Sequence, residues 1–361
     1  MARFGDYINI QTGKLDANAS SEDGQYPFFT CSVNSLRIDT YSYDCECALV
    51  AGNGDLNVKY YNGKFNAYQR TYIIESKDKN ILSVPYLYYF LDRYVEELRK
   101  QSIGGVIKYI KIGNLTEARI PMRSILEQGV VVVNLKKVND LKTLRKQQLS
   151  KLDELVKSRF VEMFGSELEQ GRWPMTTVGS VAKVCVGVVI KPTQYYQKKG
   201  VRAFRSLNIG EMCVKDSDWV FFSENGHSKN QKSVVHKDDV LVVRSGAPGT
   251  ACVVPERFDG ANAVDIIIAR PDTSSVDPTF LAMFTNMPHG RNQIKNQIGG
   301  AAQQHYNVGG YKSLNIIAPP LALQREFAVF VAKVDKLAFK AKASLEKLET
   351  LKKAMMQKYF N

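Results

Sequence analysis

Little in these 361 residues points to chemistry. No apolar run approaches the ~20 residues that a membrane-spanning helix needs, and the opening MARFGDYINIQTG lacks the apolar core of a secretory leader. A cytoplasmic protein with no membrane partner is therefore expected. Six cysteines (Cys31, Cys45, Cys47, Cys185, Cys213, Cys252) are scattered, and disulfides are not expected in that compartment. A phosphate-binding loop would need two glycines five apart followed by Lys and a hydroxyl residue; Gly13-Lys14-Leu15 and Gly63-Lys64-Phe65 lack that frame. Zinc would need paired Cys or His, but Cys45-x-Cys47 stands alone and His227, His236, His289 and His305 form no cluster. Gly52-Asn53-Gly54 follows a strand but reads as a hairpin turn, not a dinucleotide-binding loop. Pro319-Pro320 is followed by Leu321, so the Asn/Asp-Pro-Pro-Tyr/Phe stretch of amino-methyltransferases is missing, and no nuclease-like carboxylate cluster is defensible. The expectation is a chain with no catalytic residue, no metal site and no cofactor of its own.

Positive charge, by contrast, is plentiful. The formal net charge is +13, which suits a polyanionic partner. Residues 1–128 carry 15 basic and 15 acidic side chains, whereas 129–165 carry 8 and 4 and 319–361 carry 9 and 4. Most of the surplus thus sits on two segments. A basic helix is also commonly just a solvated face, so charge makes nucleic acid plausible and no more.

Both of those segments read as long amphipathic helices. From Val130 to Gly165, Leu135, Val138, Leu141, Leu149, Leu152, Val156 and Met163 recur at three-, four- and seven-residue steps, and Gly165 suits a C-cap. Adding 196 places Gln128 on Gln324, Val138 on Val334, Leu149 on Leu345, Lys151 on Lys347, Leu152 on Leu348 and Phe164 on Phe360. One ungapped offset over such a span is a repeat signal. The segments before each helix also share their order of elements. Cys47–Gly52 and Ala67–Ser76 read as strands, and Pro85 opens a helix that ends at Gly104-Gly105. Leu241–Gly249 and Ala261–Pro271 occupy the same places in the second half, where Pro278 opens a helix running to Ile298 before Gly299-Gly300.

The fold expected is therefore α+β: two globules of mixed short strands and helices joined by two long antiparallel helices, an internal repeat with pseudo-two-fold symmetry. The boundaries are 1–128, 129–165, 166–320 and 321–361. Leu149, Leu152, Val156, Leu345, Leu348 and Met355 are the expected interface of the helix pair.

Groups suited to reading nucleic acid concentrate in loops. Gln303, Gln304, His305 and Asn307 follow Gly299-Gly300, and Lys108, Tyr109 and Lys111 follow Gly104-Gly105. Glycine allows close backbone approach, and Gln and Asn can bond adenine edges bidentately. Asn53, Lys59 and Tyr60, with Arg244 and Ser245, lie at or beyond strand ends expected to face the same way. Lys191, Thr193, Arg202 and Arg205 form a further basic group. Any one of these residues is explained equally well as ordinary polar surface; the two Gly-Gly segments, which recur, favour DNA contact.

Leu144–Gly165, LRKQQLSKLDELVKSRFVEMFG, with its weaker copy at the C-terminal end, resembles the central conserved region of type I restriction-modification specificity subunits. The stretch from Gly-Gly to a short strand ending in Pro is similar to the end of their target-recognition domains. The lead-in Ile120–Gln128 keeps one Pro and the Glu127-Gln128 pair of the family pattern; the second copy keeps Pro319-Pro320-Leu321 and Gln324 but has Leu323 in place of Glu. The resemblance implies two target-recognition domains, each reading one half of a bipartite site on double-stranded DNA. It implies helices that set the spacing and dock two methyltransferase (modification) subunits of an adenine-specific complex. S-adenosylmethionine, ATP and Mg are then expected on partner subunits, with restriction/translocase subunits as further partners. Two rivals remain open at this point: a structural adaptor that touches no DNA, and a specificity-type chain with an unrecognised nuclease or methyltransferase centre.

Overall fold

A computed structural model describes residues 1–165, 172–298 and 305–361. The chain forms two compact units, residues 1–147 with 341–361 and residues 148–340. The mixed α+β layout agrees with the expectation, down to two 40-residue helices that pack together, Ile125–Phe164 (the central helix) and Leu321–Phe360 (the C-terminal helix).

The central helix starts at Ile125, ahead of the apolar run that begins at Val130. A capping box explains the earlier start. The Ser124 backbone N–H donates to Glu127 Oε2 at 2.9 Å, and the Glu127 N–H donates to Ser124 Oγ at 3.3 Å. The helix ends where the sequence places its stop: Gly165 has φ +104° and its N–H reaches Val161 O at 2.8 Å.

In the first unit a six-stranded sheet runs in the order 8–12, 71–76, 43–51, 58–67, 26–29, 36–38. Alternate side chains of Tyr43–Ala51 serve two cores, as the pleat requires. Ala48 and Val50 pack with Tyr86, Leu87, Phe90 and Leu91 of the helix Val84–Gln101, while Cys47 and Leu49 pack with Phe29, Phe65 and Ile73. Val131 and Leu135 of the central helix join the first of these cores together with Met356 and Phe360 of the C-terminal helix. The two helix segments run antiparallel there, since Asn134 meets Tyr359 and Lys142 meets Glu349.

The second unit repeats the pairings. Strand 182–186 lies against 266–271 as 8–12 lies against 71–76, and Val240–Val243 sits between 266–271 and 251–253. A parallel strand pairing recurs too, Phe28 opposite Asn66 and Ala203 opposite Asn262. Leu152, Val156, Phe160 and Phe164 of the central helix share its core with Phe327, Val331 and Val334 of the C-terminal helix. Of the six residues expected at the helix interface, Leu152 and Val156 are buried and Leu149, Leu345, Leu348 and Met355 are half-buried. One expectation needs correcting: the helix opened by Pro278 does not run unbroken to Ile298. It stops at Asn286, Met287 is extended, and a new helix begins at Pro288. Pro288 has no N–H to continue the ladder, and it restricts the residue before it.

The repeat reaches single buried side chains. Gln128 is wholly buried; its Oε1 accepts from Ser83 N–H at 2.9 Å, and its Nε2 donates to Ile81 O at 2.7 Å and Arg123 O at 2.9 Å. Gln324, 196 residues on, does the same work: its Oε1 accepts from Asp277 N–H at 2.9 Å and its Nε2 donates to Pro319 O at 2.8 Å. Each glutamine ties the start of a long helix to the residue just before its globule's main helix.

Candidate nucleic-acid interface

Strand Tyr43–Ala51 ends in the turn Gly52-Asn53-Gly54, and the segment after Gly104-Gly105 folds back onto it. Ile110 N–H donates to Gly52 O at 2.9 Å, Gly54 N–H donates to Lys108 O at 2.9 Å, and Asn53 bridges to Tyr109. Residues 103–109 form a closed turn, because Ile103 and Tyr109 exchange both backbone hydrogen bonds, at 2.9 and 3.0 Å. Gly104 has φ +114°, and a Cβ there would stand 2.6 Å from Ile107 O. Gly105 has neither constraint: φ is not in the left-handed region, and nothing lies within 4 Å of an added Cβ. Lys108 and Tyr109 are exposed on this turn, and Lys111 is exposed just beyond it.

The second unit is stitched in the same way. Tyr306 N–H donates to Arg244 O at 2.9 Å, matching the bond from Ile110 to Gly52. Arg244 is held on both sides, its Nε donating to Tyr306 O at 3.0 Å and its guanidinium paired with Asp265. Ser245 Oγ and His305 Nδ1 share a 2.6 Å hydrogen bond at the surface. Asn307 caps the following short helix, accepting from Gly310 N–H at 2.8 Å. Burial raises the Tyr306 hydroxyl's pKa, so this phenol stays protonated. Gly299, Gly300, Gln303 and Gln304 lie outside the described residues.

Several other residues singled out from the sequence are engaged within the protein. Lys59 Nζ reaches Asn57 Oδ1 at 2.6 Å, and burial lowers its pKa. Tyr60 donates to Glu46 Oε1 at 2.8 Å; burial and then that carboxylate push the phenol up to about 12. Arg205 donates through Nη2 to Asp218 O. Arg202 is exposed and lies over the rings of Trp219 and Phe258, 5.7 Å from each centroid. Lys191 has φ +44° and sits, like Thr193, on an exposed connection that includes the exposed Ile190. The geometry therefore gathers Asn53, Gly104, Gly105, Lys108 and Tyr109 in the first unit, and Arg244, Ser245 and His305 in the second.

Val106 and Ile107, at the apex of the first turn, were not among the sequence candidates. They are 104% and 63% exposed. Two branched apolar residues straight after Gly-Gly and before Lys are the signal that points to them. Among the described residues no group of three or more His, Cys, Asp or Glu could hold a metal ion, and no helix is long and apolar enough to cross a membrane.

Residues 1–154 match the family described as type I restriction modification DNA specificity domain. A curated relative, the type I restriction enzyme EcoDI specificity subunit of Escherichia coli, is 40% identical over 132 residues, 37% of this chain and 29% of that protein. The StySPI specificity subunit of Salmonella potsdam is 26% identical over 198 residues, 51% of this chain and 41% of that protein. The matches thus span less than half the length of these relatives. Among solved structures, the type I restriction-modification S subunit from M. genitalium aligns with a TM-score of 0.66 at 16% identity, covering 100% of this chain and 95% of that one. A chain from a structure titled for complex assembly and conformational transition of the type I R-M system aligns with a TM-score of 0.55 at 15% identity, covering 99% and 96%. The fold is that of these S subunits.

Proposed function

We propose that the whole chain, whose residues 1–154 match the family described as type I restriction modification DNA specificity domain, is a DNA sequence-specificity subunit of a type I restriction-modification complex. Each globule reads one half of a bipartite site on double-stranded DNA. The chain does no chemistry itself; S-adenosylmethionine, ATP and Mg act on partner subunits in the cytoplasm. The observation that carries the reading is the repeated stitching of the candidate surfaces, Ile110 to Gly52 and Tyr306 to Arg244, each at 2.9 Å. Two equivalent backbone bonds, each made to the residue that follows a central strand, suit two half-sites.

The helices suit two copies of one partner. Val133, Leu141 and Leu351 are exposed in the first unit; Val329, Leu337 and Leu155, their counterparts at the 196-residue offset, are exposed in the second. All six lie between 46% and 55% exposed. Apolar side chains left in water at equivalent repeat positions fit two modification subunits, one for each unit. Restriction/translocase subunits are further partners of the assembled complex.

Methylome sequencing of cells with and without the gene tests the reading. Loss of methyladenine at a two-part motif with an unread gap is the expected result, and an unchanged methylome overturns it. Salt-dependent binding of that motif by the assembled complex separates it from a structural adaptor.

A further inference from the structure

We propose that Val106 and Ile107 read thymine through its 5-methyl group in the major groove, making the apex of the 103–109 turn a specificity determinant of the first unit; this rests on the DNA-reading function above. An apolar apex needs an explanation, because Val106 is 104% and Ile107 63% exposed. The turn that carries them is fixed rather than floppy. Ile103 and Tyr109 close it with two backbone hydrogen bonds, Gly54 N–H holds Lys108 O, and Gly104 supplies a φ of +114°. Its flanks are cationic: Lys108 and Lys111 are exposed, and no carboxylate among the described residues pairs with either.

Those features together fit one kind of surface. Cations beside the apex meet phosphates, which position the turn without reading sequence. The apex itself can make no hydrogen bond with its side chains, and the apolar feature that B-DNA presents in the major groove is the thymine methyl. Both side chains are β-branched and short, with restricted χ1. They suit a shape-fitted contact with a methyl group better than insertion between stacked bases, which costs a few kcal/mol of unstacking per step. Asn53 pairs with Tyr109 across an antiparallel bridge at the base of the turn, so an amide-bearing residue belongs to the same loop cluster as the apolar apex. Such a pair suits consecutive A·T base pairs, the amide on adenine and the apex on thymine methyl.

The test uses the full chain assembled with its modification subunits and duplexes carrying the motif found by methylome sequencing. Each thymine of the motif is replaced in turn by uracil, which removes only the methyl group. Binding by wild type should weaken about fourfold at one or two positions of one half-site, the effect of losing one buried methyl-sized contact. A Val106→Ser/Ile107→Ser complex should bind the unmodified site more weakly and lose nothing further on those same replacements. Because both side chains are exposed, the variant should keep its melting temperature and its partner subunits. If no uracil replacement affects a complex that still selects its site, the proposal fails while the DNA-reading function stands. An equal uracil penalty in the variant assigns the methyl contact to other residues and overturns it. So does a fluorescence rise from 2-aminopurine in the half-site that depends on Val106 and Ile107, since that reports unstacking. Loss of a modification subunit from the variant makes the apex a protein contact and also overturns it. Failure of the wild-type complex to prefer its motif removes the DNA-reading function and the proposal together.

Discussion

At the residue scale, the two buried glutamines carry the clearest consequences. Gln128 satisfies three backbone groups at the junction of a globule and its long helix, and Gln324 repeats the arrangement. Replacing either with Ala strands buried N–H and C=O groups, so each variant should lose about 2–4 kcal/mol of stability. Chemical denaturation of the two single variants checks this, and the larger loss is expected for Gln128, which satisfies three backbone groups against two for Gln324. The paired glycines should behave unequally. Gly104→Ala forces a Cβ to 2.6 Å from Ile107 O at a φ of +114° and should distort the turn, whereas Gly105→Ala has open space. Site-specific DNA binding should fall with the first substitution and hold with the second; equal effects would mean that the turn's backbone does not matter. The Gly-Gly motif was legible in the sequence, but which glycine is needed was not, because that depends on a carbonyl three residues away folding back. The same limit explains Lys59, Tyr60 and Arg205. As residue types they suit nucleic acid, yet partners far along the chain or across a turn (Thr30, Glu46, Asp218) hold each of them.

At the scale of elements, periodicity located both long helices and the 196-residue offset matched Gln128 to Gln324. Two local signals, one in each unit, set boundaries that apolar periodicity alone misses. Ser124-x-x-Glu127 starts the central helix ahead of its apolar run, and Pro288 breaks the helix of the second globule. Periodicity also selects positions without ranking them. Wholly or nearly buried residues of the helices include Leu135, Phe160, Phe164, Phe327 and Phe360, which pack into the globules' own cores, while Leu149, Leu345 and Leu348 are half-buried. A stripe of leucines reads the same in sequence whether it faces a partner helix closely or at its margin. The exposed trio of each unit is the testable part of the docking surface. Val133→Gln with Leu141→Gln and Leu351→Gln replaces side chains already about half in water, so the chain's own stability should change little. Native mass spectrometry of the complex should then show one modification subunit in place of two. Retention of both would assign docking to other residues.

At the scale of the whole molecule, the contact pattern carries the central point: each compact unit is built from one globule and part of both long helices. Helix length and globule identity are therefore separate variables in the proposed function, and they can be changed separately. Under the proposed function, exchanging residues 166–320 for the matching segment of a type I specificity subunit should alter one half of the recognised motif and leave the other half and the gap unchanged. Lengthening the helices should do the reverse. Four residues inserted after Gln148, with four more after its repeat counterpart Ser344, add about one turn to each helix, or ~5.4 Å, and largely preserve the apolar stripe. Base pairs stack at ~3.4 Å, so the unread gap should grow by one or two base pairs with both half-site sequences intact. Methylome sequencing of cells carrying the double insertion reads motif and gap together. A gap of unchanged length, in a mutant that still assembles and methylates, would show that the number of helical residues does not set the spacing. The lysines would then need another role. Lys136 and Lys142 already pair with Asp140 and Glu349, which leaves acidic surfaces of the modification subunits as the counterpart of the remaining helix charge.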